Sequence, residues 1–273
     1  MYGEFVRMSS FFEGSEYANP NLEPYGFDPA KAREHLARAG YRRPAELRST
    51  SAWGRFVDGL RGLVFTRSDS DDVLVNERGE KASFTVIYGS KGLERHLTVM
   101  QQEFRRAGVD MRLRLLEPGT AFERGLERKY EMTVTARTTG FYPQPRQYLH
   151  TEFKNANNNN NIWGFGTAEV DELVRIYEHD LDPEKRRAAM HRIDEIVHDE
   201  AFYIPFWSAP FIRVVFWDYV RFPEFWAPRR IEQLNDHMVY WIDPQRRKAL
   251  EEAMRTGTPL PLDPVLDKDF YGI

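Results

Sequence analysis

Between Ala82 and Ala136 the apolar residues recur first at every second position, then at every third or fourth, and so on in turn; few folds accept that alternation. Ala82 to Tyr88 has the period of a strand. Leu93, Leu97, Met100 and Phe104 follow at spacings of four, three and four, which predicts an amphipathic helix over residues 92–107 closed by Gly108. Val109, Met111, Leu113 and Leu115 then alternate with Asp110, Arg112, Arg114 and Leu116 as a second strand. Thr120 is placed to cap a further helix with Phe122 and Leu126 inward, after which Tyr130, Met132, Val134 and Ala136 alternate again. Strand and helix taken in turn specify an α/β layer. Ligands of such sheets sit beyond the carboxyl ends of strands, and the stretch Thr135–Trp163 leaves one of those ends.

The flanks are readable in part. The first residues carry apolar side chains with no polar leader before them, as if they began inside a core. Asp28-Pro29 predicts a helix start, with Ala32, Leu36 and Ala39 on one face and Gly40 as its stop. From Pro44 to Gly79 the pattern is weak, with Phe56, Leu60 and Leu63 at the spacing of a short helical turn. The acid-rich stretch Asp69–Lys81 lacks the glycine at position six and the glutamate at position twelve of a calcium loop, so a solvated turn is expected there. Asn76–Gly79 predicts a hairpin turn into the strand from Ala82.

After the asparagine run, Thr167 is expected to cap a helix carrying Val170, Leu173, Val174 and Tyr177. Asp182-Pro183 starts another, with Ala189, Ile193, Ile196 and Val197 inward. Phe202–Trp207 and Phe211–Trp217 read as two β segments about Ser208-Ala209-Pro210, and Pro244–Arg255 as a short helix before a proline-rich tail. Thirteen aromatic residues lie between Phe202 and Trp241, a density expected of a core or an interface.

Composition excludes several functions. With 38 basic and 42 acidic residues mixed along the chain there is no basic stripe, so no nucleic-acid partner is expected. Mean hydropathy is −0.61 and no apolar run approaches a membrane span. MYGEFVRMSSFFEG has neither a basic nor an apolar signal region, so no signal peptide is expected in it. The lack of cysteine removes disulfides, thiol catalysis, Cys-type zinc sites and any lipid-anchor cysteine from this chain. His191 and His198 are seven apart, two turns along one helix, and read as surface histidines rather than metal ligands. Gly164-Phe165-Gly166 precedes a helix but follows no strand, and Glu169 occupies the third glycine position, which argues against dinucleotide binding. No nucleophile pairs with a base, so no enzyme activity, no metal and no cofactor are expected.

What remains is a surface. Phe141, Tyr142, Gln144, Arg146 and Tyr148 offer flat apolar faces, an amide and a guanidinium, followed by five consecutive asparagines. Such runs are commonly solvated low-complexity sequence. The alternative is that Asn160, Asn161 and Trp163, beside a helix start, face a cleft.

The succession of Glu23–Tyr41, Asn76–Ser90, Val99–Pro145 and Asn157–Trp207 resembles the carboxyl-terminal half of the family 5 extracellular solute-binding proteins, the oligopeptide and dipeptide receptors of ABC importers. The likeness runs from residue 1 to about 245. Tyr2–Ala18 and Tyr240–Leu250 are most similar to the subgroup that includes the importer component for the peptide-nucleotide antibiotic microcin C. The resemblance implies an α/β, type II-like clamshell of two lobes with a mixed sheet flanked by helices. The chain would supply the second lobe over residues 1–217 and, over 218–273, a crossover and aromatic tail packing on a missing N-terminal lobe. It further implies a periplasmic or extracellular location, a peptide-like ligand held between the lobes, and a membrane permease as partner. The family's ligand segment matches Thr138, Thr139, Gly140, Phe141, Tyr142, Pro143, Gln144 and Pro145. Many peptide-binding relatives have tryptophan where Thr138 stands, and an aspartate gripping the peptide amino group where Phe141 stands. A stand-alone interaction domain derived from such a lobe is the competing expectation, and a hydrolase ranks below both.

Overall fold

A computed structural model describes residues 5–44, 73–137, 139–140, 142–209, 215–223 and 240–260. The helical turn expected around Phe56–Leu63, the first acids of Asp69–Lys81, Thr138, Phe141, most of the segment from Phe211, Phe225 and Trp226, and the proline-rich tail lie outside the described residues. In chain order the elements are β1 (Val6–Arg7), α1 (Pro29–Arg38), β2 (Ser83–Tyr88), α2 (Glu94–Ala107), β3 (Asp110–Leu115), α3 (Pro118–Leu126), β4 (Met132–Thr133), α4 (Pro145–Leu149), α5 (Thr151–Lys154), α6 (Ala168–His179), α7 (Pro183–Glu200), β5 (Trp207–Ser208), β6 (Val220–Arg221), β7 (Trp241–Ile242) and α8 (Pro244–Thr256). They divide between two compact units, one of residues 1–24, 138–144 and 176–273, the other of residues 25–137 and 145–175.

The second unit contains the α/β layer that the alternating periods predict. β2 pairs in parallel with β3 on one side and with β4 on the other, giving the order β3-β2-β4. Parallel neighbours cannot be joined by a tight turn, so α2 and α3 are the crossovers that the pairing requires. Val86, Ile87 and Tyr88 are buried because the strand is covered on both faces. Val86, Tyr88, Leu97 and Met111 form the centre of the core, with Phe84, Met100, Phe104, Met132 and Val134 packed around them. α2 stops at Gly108, whose φ of +95° and close approach to the Leu74 side chain both require the absence of a Cβ. The turn at Asn76–Gly79 forms as expected, with Asn76 and Glu80 bonded across it and Gly79 at φ +78°.

Two expectations in this unit need correction. Glu117, not Thr120, caps α3: its carboxylate accepts from Thr120 N at 2.9 Å, and the backbone N–H groups of Gly119 and Thr120 hold its pKa low. The helix therefore begins three residues earlier, and Phe122 turns outward at 69% exposure while Gly125 is buried. The strand expected over Tyr130–Ala136 is only two residues long, extended by one bond from Val134 N to Ile87 O.

In the first unit the segment before Pro24 wraps on α7. Asp182 caps that helix as predicted, and Ala189, Met190, Ile193, Ile196 and Val197 are buried along it. Asp194 lies on the same face and is also buried. Its carboxylate accepts from Ser10 Oγ, from Phe11 N at 2.7 Å and from Asn19 N at 3.0 Å, so the segment's turn is held by one side chain. Burial raises the Asp194 pKa above the ordinary 3.8, against the three hydrogen bonds, which act to lower it. His191 is not the solvated side chain expected, since its Nε2 is shut off from solvent. β5 pairs antiparallel with β1, so Trp207 opposes Arg7 rather than a strand that follows it; Val215–Trp217 is not strand. β6 pairs with β7, and α8 follows from its Asp243 cap with no buried residue.

Replacing Asp194 by alanine leaves three buried donors unpaired, and the urea unfolding midpoint is expected to fall by the equivalent of at least about 3 kcal/mol. The pH dependence has a definite sign. A carboxyl that is harder to ionise in the folded chain contributes stability that is complete below its unfolded pKa and lost as pH rises through the raised folded value. The stability of the native chain relative to Asp194→Asn should therefore decline as pH rises through that folded value, measured by urea titration at stepped pH.

Candidate ligand-binding site

The segment that leads into β4 is bonded to a loop that follows later in the second unit. Arg128 adopts φ +54°, an uncommon conformation for a residue with a side chain. From there its guanidinium donates to Phe153 O at 2.8 Å, Ala156 O at 2.6 Å, Asn161 O at 3.0 Å and Asn157 Oδ1 at 3.4 Å. Tyr130, two residues on, donates its hydroxyl to Ile162 O at 2.7 Å, and burial raises its pKa. The planar fork of arginine suits several carbonyls at once, which a lysine ammonium does not.

Asn159 and Asn161 complete the same turn, while Asn157 and Asn158 stay exposed. Asn159 donates its amide to Phe153 O and Ala156 O, while its Oδ1 accepts from Asn161 N at 2.8 Å. Asn161 is fully buried; its amide donates to Phe165 O at 2.6 Å and its Oδ1 accepts from Phe165 N at 3.2 Å. Asn160 is exposed and donates to Gln147 Oε1. Beyond the turn, a Cβ on Gly166 would come 2.9 Å from Thr151 N and 3.0 Å from Leu149 O, so the backbone passes there only because the residue is glycine. Thr167 Oγ1 caps α6 by accepting from Val170 N. Asp171 in its first turn accepts from Thr151 N at 2.9 Å and from Thr151 Oγ1, tying α6 to α5.

The residues expected to bind ligand are distributed over both units. In the second unit Trp163 is half-buried with its ring 6.3 Å from that of Tyr148, and the Arg137 guanidinium lies 4.8 Å over Tyr148. Arg146 is exposed and paired with Glu152 at 2.7 Å. In the first unit Gly140 is buried, Thr139 half-buried, Gln144 exposed, and Tyr142 60% exposed. Tyr142 rests against Tyr17 at 6.4 Å, Tyr17 packs edge-on against Tyr177 at 5.1 Å, and Arg186 lies 4.9 Å over Tyr177. Burial pushes the Tyr177 hydroxyl up to about 12, so it stays protonated over the physiological range and the charge of this stack is that of Arg186. Thr138 and Phe141 lie outside the described residues.

Arg128, Tyr130, Arg137 and Tyr17 carry much of this arrangement, and sequence reasoning passed over all four. Arg128 has no periodicity to mark it, and its role depends on carbonyls some 25 to 33 positions away. Among the described residues no group of three or more His, Asp or Glu side chains could hold a metal, and no helix is long and apolar enough to cross a membrane.

The sequence profile described as bacterial extracellular solute-binding proteins, family 5 middle, matches residues 1–160. The chain belongs to this family. Among curated relatives, the probable peptide-binding protein YejA of Agrobacterium fabrum is 23% identical over 238 residues, covering 82% of this chain and 38% of YejA. The uncharacterized protein y4wM of Sinorhizobium fredii is 24% identical over 251 residues, covering 82% of this chain and 35% of y4wM. The chain thus spans well under half the length of either. Among solved structures, the oligopeptide-binding protein AppA of Bacillus subtilis, in complex with a nonapeptide, superposes with a TM-score of 0.62 at 14% identity, over 88% of this chain and 43% of AppA. That match shows a shared α/β fold with this oligopeptide-binding protein.

Arg128→Ala removes the guanidinium that holds residues 153–161. Backbone amides of this turn are expected to exchange with solvent at least about tenfold faster, with β2 and α2 little changed, and Arg128→Lys should recover only part of the protection. Hydrogen exchange read by mass spectrometry checks both variants.

Proposed function

We propose that this chain is part of the substrate-binding component of an ABC importer, which captures a peptide-like or modified oligopeptide ligand between two lobes and hands it to a membrane permease. Family membership over residues 1–160 carries the proposal. The segment from β4, with its exposed Tyr142, is in keeping with it. In this reading residues 1–217 belong to the second lobe and 218–273 return to the N-terminal lobe, with the cleft contributed by Thr138, Thr139, Gly140, Phe141, Tyr142, Gln144, Arg146, Asn160, Asn161 and Trp163. In this reading the protein acts outside the cytoplasm and belongs with the microcin C importer-like receptors.

Phe141 sets the ligand preference. An aromatic residue cannot supply the charge-assisted grip on a free amino terminus that an aspartate supplies, and removing one partner of such a buried pair costs about 3–5 kcal/mol. The longer protein is therefore expected to bind free-amine di- and tripeptides weakly. Phe141→Asp should raise their affinity by about two to three orders of magnitude relative to N-acetylated peptides. Calorimetric titration tests this, and submicromolar binding by the native protein that depends on the free amine would refute it.

The C-terminal elements support a partner in the N-terminal lobe. Val215 is 99% exposed, and Phe216, Trp217, Tyr240, Trp241 and Met254 are also exposed, so the aromatics of this region that are described do not form a core. Such a surface promotes association when uncovered. The chain alone is expected to bind a hydrophobic dye and to self-associate at micromolar concentration in sedimentation. A monomer that binds no dye would count against the missing-lobe reading. The same surface also suits a stand-alone interaction domain, which genes for a permease and an ATPase beside this one would argue against.

A further inference from the structure

The aromatic and amide groups around Trp163 form a cluster apart from the buried core around Val86 and Met111. Leu149 is fully buried and anchors α4, whereas its neighbours Gln147 and Tyr148 are only half-buried. Those two meet the Arg128-held turn in two pairs, Gln147 with Asn160 and Tyr148 with Trp163. Arg137, on the segment leaving β4, covers a face of Tyr148 from 4.8 Å. Arg137, Tyr148 and Trp163 come from three separate stretches, and none of them joins the buried core around Val86 and Met111.

The turn that presents Trp163 is fixed before any ligand arrives. Its carbonyls at Phe153, Ala156, Asn161 and Ile162 are taken by Arg128 and Tyr130. A preorganised aromatic ring loses little entropy when a flat group stacks on it. Guanidinium groups likewise stack on planar π systems, so the cluster favours a flat ring over an equally apolar branched group.

The geometry points to Arg137, Tyr148 and Trp163 as a subsite for a planar aromatic group of the ligand, such as a Phe or Tyr side chain. This rests on the ligand-binding reading above and narrows it to one chemical class. It also gives Arg128 and Tyr130 a purpose as positioning residues, since they hold the backbone from which Trp163 projects.

The test uses the full chain, ¹⁵N-labelled, with the Trp163 indole N–H resonance assigned by its disappearance in Trp163→Phe. N-acetyl-phenylalaninamide and N-acetyl-leucinamide, probes of similar apolar size, are titrated separately. The phenylalanine probe is expected to shift that resonance saturably and to bind about fivefold more tightly than the leucine probe. Arg137→Gln should weaken it several-fold with the remaining spectrum unchanged. Equal responses to both probes, or no saturable shift, would overturn the subsite. If peptides bind while Trp163 stays silent, the subsite fails and peptide capture stands. If the aromatic probe binds at Trp163 while no peptide binds the longer protein, peptide capture fails and the subsite stands.

Discussion

The strand Ser83–Tyr88 is hydrogen-bonded on both sides and covered on both faces, and the second unit is arranged to satisfy that condition. A parallel strand buried in this way cannot be reached by a tight turn. The chain must cross over through Glu94–Ala107 to pair Asp110–Leu115 on one side, and return through Pro118–Leu126 to pair Met132–Thr133 on the other. Because both neighbours run parallel to it, all three carboxyl ends emerge together. The stretch proposed to bind ligand starts from one of them, which is where open α/β sheets hold their ligands.

A binding surface also needs loops that keep their shape, and here hydrogen-bonding side chains supply it. Arg128 places one guanidinium among carbonyls that no regular ladder would satisfy, and Asn159 and Asn161 close the rest of the turn. In the first unit Asp194 does the same for the segment before Pro24, with three donors converging on one carboxylate. Backbone groups without a helix or strand must find partners elsewhere, so side chains of this kind decide whether irregular segments are ordered. The buried asparagine at the end of a polar run illustrates the point: Asn161 is structural, while its neighbour Asn160 stays at the surface beside Gln147.

The exposed C-terminal elements are of a different kind. The pairing of Val220–Arg221 with Trp241–Ile242 and the helix Pro244–Thr256 are locally well formed, with Asp243 as cap and ion pairs along the helix, yet they bury almost nothing. Surface ion pairs and a cap contribute only about 1 kcal/mol each, too little to account for so much uncovered aromatic area. The proposal above assigns that burial to a covering partner.

Much of the fold was legible in the residues. Asp28, Thr167 and Asp182 mark helix starts, Gly40 and Gly108 mark stops, and the spacing of Leu93, Leu97, Met100 and Phe104 gives the first crossover helix, because caps and periods are local consequences of backbone geometry. Phe122 was misplaced because its spacing from Leu126 does not say which face of the helix is covered, and the start was misplaced because Glu117 and Thr120 are both able to cap. The candidate site was legible as a stretch of chain, and family likeness gave it a role. Which asparagine is buried, that Trp163 meets Tyr148, and that Arg128 and Asp194 organise irregular backbone were decided only by the tertiary structure. Those contacts join residues from about 15 to more than 180 positions apart, and no local rule of period or capping reaches that far.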